Sequence, residues 1–217
     1  MKENIVKEYR LGESTVWLFG VKELSETDLD EMYACCSRPR QDAADRIKSE
    51  LKRRESVGAG YLLFLLKKRF SIAEDPVVLQ SGKPVFQGDN GLHFNISHSG
   101  GYVALAFGKT PLGVDIECVK RKDLKVAKRF FRQEEYDDLA GKTGAEQPDI
   151  FCRMWTGKEA VLKASGAGLS VPLDSFSVLE EIVECSGKQY ELHRQKITET
   201  GQELWVCVAK EIFCTDD

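Results

Sequence analysis

The sequence predicts an α+β chain of two similar lobes, residues 1–108 and 109–217, with a cleft between them. Three observations carry this reading. Each half mixes helix-period with strand-period segments, no Pro/Gly/Ser-rich linker interrupts the chain, and 217 residues with 42% hydrophobic content suffice to bury a real core. Identity between the halves is too low to count as a repeat.

The elements follow in chain order. Ser25 opens a capping-type start into LSETDLDEMYACC, where Leu29, Met32 and Tyr33 fall at helical spacing. A second helical region runs from Gln41 to about Phe70; its first part is amphipathic through Ala43, Ala44, Ile47 and Leu51. Its second part, VGAGYLLFLL, is apolar all round and must be buried. PVVLQSGKPVF and LHFNIS read as strands punctuated by Gly and Pro. Ser99-Gly100-Gly101 turns into YVALAF, and GKTP turns into LGVDIE. The second half predicts helices over 123–131, 133–139 and about 149–165, the last ending at Gly166, then strands at FSVL, QYELHRQ and ELWVCVAK.

Composition excludes several classes. A net charge of -4 and a pI near 5.6 speak against nucleic-acid binding through a basic surface. No run approaches the ~20 apolar residues of a spanning helix, and MKENIVKEYR lacks the apolar stretch of a signal peptide, so no membrane partner and a cytoplasmic location are expected. Seven scattered Cys without CxxC and only three His leave no zinc-ligand spacing; idle thiols are expected, and any metal is expected on oxygen ligands.

Three segments carry candidate chemistry. In Gly113-Val114-Asp115-Ile116-Glu117, strand alternation puts Asp115 and Glu117 on one face while Val114 and Ile116 point into a core. Such a pair suits a hard cation, and it equally suits a solvated strand face. In the helix around WTGKEAVLK, Lys158 falls in the apolar stripe of Ile150, Phe151, Met154, Trp155, Val161 and Leu162, where it is costly without a partner; Glu159 and Lys163 stand one turn apart on its shoulder. A snorkelling Lys and an exposed ion pair would give the same pattern. In HFNISHSGG, His98 leaves a strand beside two glycines, a place suited to an anion or to an ordinary turn histidine. No GxSxG elbow is present, and adjacent Ser97 and His98 project apart, which argues against a Ser/His nucleophile.

The order and spacing of these pieces resemble a 4'-phosphopantetheinyl transferase of the larger, surfactin-synthetase-activating type. The matching residues are Gly82-Lys83-Pro84, Phe94-Asn95-Ile96-Ser97-His98-Ser99, Gly113 to Glu117, Phe130-Phe131 with Glu134-Glu135, Trp155-Thr156-Gly157-Lys158-Glu159-Ala160 with Lys163, and Gly168-Leu169-Ser170. GVDIE and WTGKEAVLK stand about 40 residues apart, and the stretch DAADRIKSELKRRESVGAGYLL looks like the family's basic N-terminal helix. The resemblance implies a pseudo-twofold fold of two α+β lobes with coenzyme A in the groove. It implies transfer of the phosphopantetheine arm to a serine of an apo acyl or peptidyl carrier protein, with release of adenosine 3',5'-bisphosphate.

By carry-over, Asp115, Glu117 and Glu159 hold Mg2+, with Glu159 favoured over Glu117 as general base. Coenzyme A is implied at Gly82, Lys83, Pro84, Ser97, His98, Lys158 and Lys163, with Ser97 and His98 near its phosphates, Lys83 and its neighbours near the 3'-phosphate or adenine, and Arg53 and Arg54 reaching toward the 3'-phosphate. Lys163 falls to the pyrophosphate. Lys120-Arg121-Lys122, Lys125, Lys128 and Arg129 make a local basic patch that either faces an acidic carrier or is simply solvated. With two lobes in one chain, a monomer is expected. Two other readings use the same residues: a Mg2+-dependent hydrolase of coenzyme A or a similar dinucleotide, and a catalytically silent carrier-binding module.

Overall fold

The computed structural model describes residues 6–80, 82–87, 91–120 and 123–213; of Leu169 only the backbone is described, and Arg121 and Lys122 of the basic patch lie outside the described residues. The chain runs β1 (Lys7–Leu11), β2 (Ser14–Gly20), α1 (Glu26–Cys35), α2 (Arg38–Asp45), α3 (Glu50–Phe70), β3 (Val77–Val78), β4 (Pro84–Val85), β5 (His93–Ser99), β6 (Tyr102–Gly108), β7 (Leu112–Cys118), α4 (Leu124–Phe130), α5 (Gln133–Ala140), α6 (Gln147–Ser165), β8 (Ile182–Cys185), β9 (Lys188–Glu199) and β10 (Gln202–Ile212), with short 3-10 turns at Gly168–Ser170 and Leu173–Ser175.

Two four-stranded antiparallel sheets form, ordered β1-β2-β6-β5 and β7-β10-β9-β8. They share a plan. The strand before the helices (β2 or β7) pairs with the last strand of its sheet (β6 or β10), which pairs with the strand before it (β5 or β9). The α+β architecture is thus built twice from one chain.

Strand alternation explains the layering. Val16, Leu18, Ala104 and Ala106 of the first sheet meet Val114, Ile116, Leu204, Val206 and Val208 of the second in one buried cluster. The opposite faces, carrying Trp17, Phe19, Val103 and Leu105, pack on α1 and α3, and Cys207 and Ala209 pack on α6. A strand buried on both faces needs apolar residues at every position, which is why YVALAF shows no alternation. The described cysteines are all free thiols, and each but Cys35 is buried.

Four sequence expectations need correction. The helical region from Gln41 breaks at Ser49, which is extended (φ -77°, ψ 118°), so α2 starts earlier, helped by Pro39 in its first turn, and α3 is separate. FSVL is no strand: Val178 donates its N–H to the Glu135 carboxylate at 2.7 Å and its carbonyl accepts from Arg194 Nη2 at 2.5 Å, so side chains take the place of a ladder. The hairpin β1–β2 and the strand β8 were not expected. The first lobe therefore begins with strands, not helices.

Candidate active site

β5 is an edge of one sheet and β7 an edge of the other, and the two edges are stitched by side chains. The β5 residues Asn95, Ser97 and Ser99 share a face by alternation. Asn95 Oδ1 accepts the Val114 N–H at 3.0 Å, Ser97 Oγ donates to Asp115 Oδ1 at 2.7 Å, and Ser99 Oγ donates to Glu117 Oε2 at 2.7 Å. α6 then lays Lys163 over this seam, its Nζ 2.6 Å from Asp115 Oδ1 and 2.9 Å from Ser97 Oγ.

Gly113 permits this approach. A Cβ there would sit 2.2 Å from the Ala160 carbonyl oxygen and 2.3 Å from the Ala164 nitrogen, so α6 packs backbone against β7 just where Glu159 and Lys163 leave the helix. Gly113→Ala should lower stability by about 3 kcal/mol through overpacking and displace both side chains; a denaturant midpoint equal to wild type would contradict this. Gly166, left-handed at φ 69°, stops the helix as its position in the sequence predicts.

Beside the seam lies a cleft of about 280 Å³ lined by Gly82, Lys83, Pro84, Asn95, Ile96, Glu159, Leu162, Lys163, Gly166 and Gly168. Lys83 Nζ donates to the carbonyls of Leu112 (3.1 Å) and Ala164 (3.2 Å), tying β4 to the second lobe. Burial pulls the Lys83 ammonium down to about 8.

The carboxylates are crowded and poorly solvated. Asp115 is 4% exposed, and among the described residues its Oδ2 has no hydrogen-bond partner. Burial, then the charge of Asp115, pushes Glu117 up to about 7, and the same two causes raise Glu159 above the ordinary carboxylate range. Hard oxygen donors of this kind suit a hard cation. Among the described residues no three such groups already converge on one centre. Lys163 meets Asp115 Oδ1 instead.

The structure therefore gathers Asp115, Glu117, Ser97, Glu159, Lys163, Lys83, Gly82 and Pro84 at one seam and cleft. Others lie elsewhere. Lys158 corrects the expectation of a coenzyme contact: it is fully buried inside the second lobe, with Nζ on Glu135 Oε2 (2.7 Å) and on the carbonyls of Leu173 (2.8 Å) and Phe176 (2.7 Å). Arg54 is committed to Glu26, Glu50 and the Leu24 carbonyl, and the Arg53 guanidinium lies 5.7 Å from the centre of the Tyr33 ring. His98, on the other face of β5, pairs with Glu55 at 3.0 Å. Sequence reasoning overlooked the hydrogen bonds that Asn95, Ser99 and Glu55 make around this seam. The signal for Glu55 was a carboxylate opening the fully apolar half of α3, where a buried charge demands a partner.

The profile of the 4'-phosphopantetheinyl transferase superfamily matches residues 111–208. The 4'-phosphopantetheinyl transferase ffp of Bacillus subtilis is 39% identical over 183 residues, covering 82% of this chain and 79% of its own. The Sfp transferase of Bacillus subtilis strain 168 is 38% identical over the same shares, and a further 4'-phosphopantetheinyl transferase of Bacillus subtilis is 36% identical over 212 residues, 91% of this chain and 94% of its own. Among solved structures, Thermotoga maritima holo-[acyl-carrier-protein] synthase (AcpS) aligns with 48% of this chain and 64% of its own at 18% identity and a TM-score of 0.34. At 36–39% identity across most of both partners, the chain belongs to the 4'-phosphopantetheinyl transferase superfamily.

Proposed function

We propose that this protein transfers the 4'-phosphopantetheine group of coenzyme A to a serine of an apo carrier protein, releasing adenosine 3',5'-bisphosphate, in a Mg2+-dependent reaction. The observation that carries the reading is the seam where Asp115, Ser97 and Lys163 meet beside Glu159 and the cleft. We take the lobes as residues 1–108 and 109–217, with the groove between them as the coenzyme site and a monomer as the working unit.

The donor set fits Mg2+. A bare buried Asp115 oxygen and two carboxyls held above their ordinary range by crowding are a standing unfavourable charge that a dication relieves. Asp115, Glu117 and Glu159 would hold it. Bound by these residues, it would supply positive charge to the pyrophosphate.

The chain's own groups do the rest. Lys163, 29% exposed beside Asp115, supplies a cation to the pyrophosphate, and Lys83, which lines the same cleft, supplies a second to the 3'-phosphate end of coenzyme A. Glu159, whose raised affinity for a proton suits a base, takes the proton of the carrier serine. The serine oxygen attacks the β-phosphorus bearing the pantetheine arm. The bond to the bridging oxygen breaks, and its electron pair leaves with the bisphosphate. No protein nucleophile is required.

Exposed Lys120, Lys125, Lys128 and Arg129 follow β7 directly and offer positive charge to an acidic carrier helix. The pH dependence follows from Lys83. An exposed lysine keeps its proton to about 10.4, whereas Lys83 releases it near 8, and the neutral amine cannot pair with phosphate. The kcat/KM for coenzyme A is therefore expected to fall as pH rises through about 8, and Lys83→Arg should remove that fall.

The deciding experiment is the intact mass of an apo carrier protein after incubation with this protein, coenzyme A and Mg2+, with an EDTA control. Gain of one phosphopantetheine only with metal supports the reading. Coenzyme A cleaved without carrier labelling indicates a hydrolase; no reaction across several carriers indicates a silent binding module.

A further inference from the structure

We propose that the free edge of β8 is a docking groove for a partner protein, which adds an extended segment carrying Lys or Arg as a further strand of the second sheet. The edges of β5 and β7 face each other across the seam, whereas β8 ends its sheet with nothing paired beyond it among the described residues. The β8–β9 turn fixes which backbone groups of β8 are spent. Ser186 and Gly187 are both left-handed (φ 54° and 73°), the mark of a two-residue hairpin loop, so Cys185 and Lys188 flank it as a hydrogen-bonded pair. Alternation makes Val183 with Tyr190 the next such pair, and the Glu181 carbonyl, accepting from the Leu192 N–H at 2.7 Å, continues the series. The N–H and C=O groups of Ile182 and Glu184 therefore point away from β9, along the open edge.

A groove of about 700 Å³ lies beside that edge, lined by β8 and by Val171, Pro172, Ser175 and Phe176. Val183 and Cys185 are buried in the second-lobe core, while Ile182, 58% exposed, and Glu184 stand on the other face of the strand. The charge around the groove selects the occupant. Glu180 and Glu184 line it, Glu181 is exposed beside them, and among the described residues none of the three makes a salt bridge. The cations nearby are already taken: Arg132, at the groove, pairs with Glu134 at 2.6 Å, and Lys188, past the turn, pairs with Glu211 at 2.7 Å. Two β8 edges pairing with each other would bring these carboxylates together with no Lys or Arg on the strand to answer them, which disfavours a second copy. A basic partner strand gains from the same charges. Residues directly across an antiparallel pair share a face, so the segment that fits carries a β-branched residue opposite Ile182 and a Lys or Arg two positions away on either side, opposite Glu180 and Glu184.

The test is fluorescence anisotropy of two labelled peptides on the full chain: Thr-Lys-Thr-Val-Thr-Lys-Thr, and the same peptide with Glu in place of both Lys. The basic peptide should bind, the acidic one should bind at least tenfold more weakly, and hydrogen exchange of the Ile182 and Glu184 amides should slow only with the former. Ile182→Pro removes an outward N–H and no bond of the β8–β9 ladder, so it should weaken the basic peptide about tenfold. If Ile182→Pro does not fold, Glu184→Lys carries the test, since it should weaken the basic peptide and strengthen the acidic one. Equal binding of the two peptides, no binding of the basic one, or binding indifferent to both variants would overturn the proposal. So would a dimer of the free protein in sedimentation that Ile182→Pro dissolves, because a second copy would then cover the edge.

Discussion

Asp115→Ala is expected to lower phosphopantetheine transfer by about 10³-fold in kcat/KM while leaving the melting temperature unchanged or raised. The two halves of this expectation have one cause. Asp115 is buried, its Oδ1 accepts from Ser97 and Lys163, and its Oδ2 accepts from nothing among the described residues. A carboxylate kept dry and half-satisfied is costly in the empty protein. It also raises Glu117 and Glu159 by repulsion, so removing it relaxes both. Lys163 stands partly in solvent and loses little when its partner goes. What is lost under the proposed function is one oxygen donor for the metal and the carboxylate that Lys163 meets. A thermal-shift titration separates these roles: Mg2+ should stabilise the wild type and not Asp115→Ala. Near-normal turnover of the purified variant would remove Asp115 from the site.

The residues that were legible in the sequence are those whose function coincides with a periodicity. Asp115 and Glu117 could be placed on one face because a strand alternates, and Glu159 and Lys163 could be paired because a helix turns in 3.6 residues. Both placements needed only local geometry. The seam itself was not legible, because it joins β5 to β7 by side-chain hydrogen bonds between two sheets, and nothing local in NISHS says that its serines face GVDIE across an edge. Glu55 was hidden for the same reason: its partners lie 43 and 46 residues away, across the first lobe. The β1–β2 hairpin is a different case. Its apolar run STVWLFG lies just after Gly12, in a turn with φ 57°, so the signal was present in the sequence. Lys158 shows the opposite error. Its place in the apolar stripe demanded a buried partner, and the shared motif drew attention to a coenzyme when the partner was Glu135, 23 residues earlier on α5.

That distinction predicts the largest stability effect in the molecule. Lys158→Met should cost about 3–5 kcal/mol, since it leaves the fully buried Glu135 carboxylate without its counter-charge. The pair is more than an ion pair. Lys158 also ties down the carbonyls of Leu173 and Phe176, and Glu135 accepts the N–H groups of Arg132 (2.8 Å) and Val178 (2.7 Å), so four stretches of backbone from α5 to the start of the last sheet converge on two side chains. Burial alone drives the Lys158 ammonium below the ordinary lysine range, and Glu135 is what opposes that pull. Replacing both charges should therefore be milder than replacing one: Lys158→Met with Glu135→Gln is expected to recover part of the loss, a positive coupling that a double-mutant cycle in urea measures directly. The cycle also decides where Lys158 acts. As an interior residue it should leave KM for coenzyme A unchanged in whatever fraction of the variant is folded. A variant that keeps wild-type stability and instead binds coenzyme A tenfold more weakly would move Lys158 from the interior of the second lobe to the cleft.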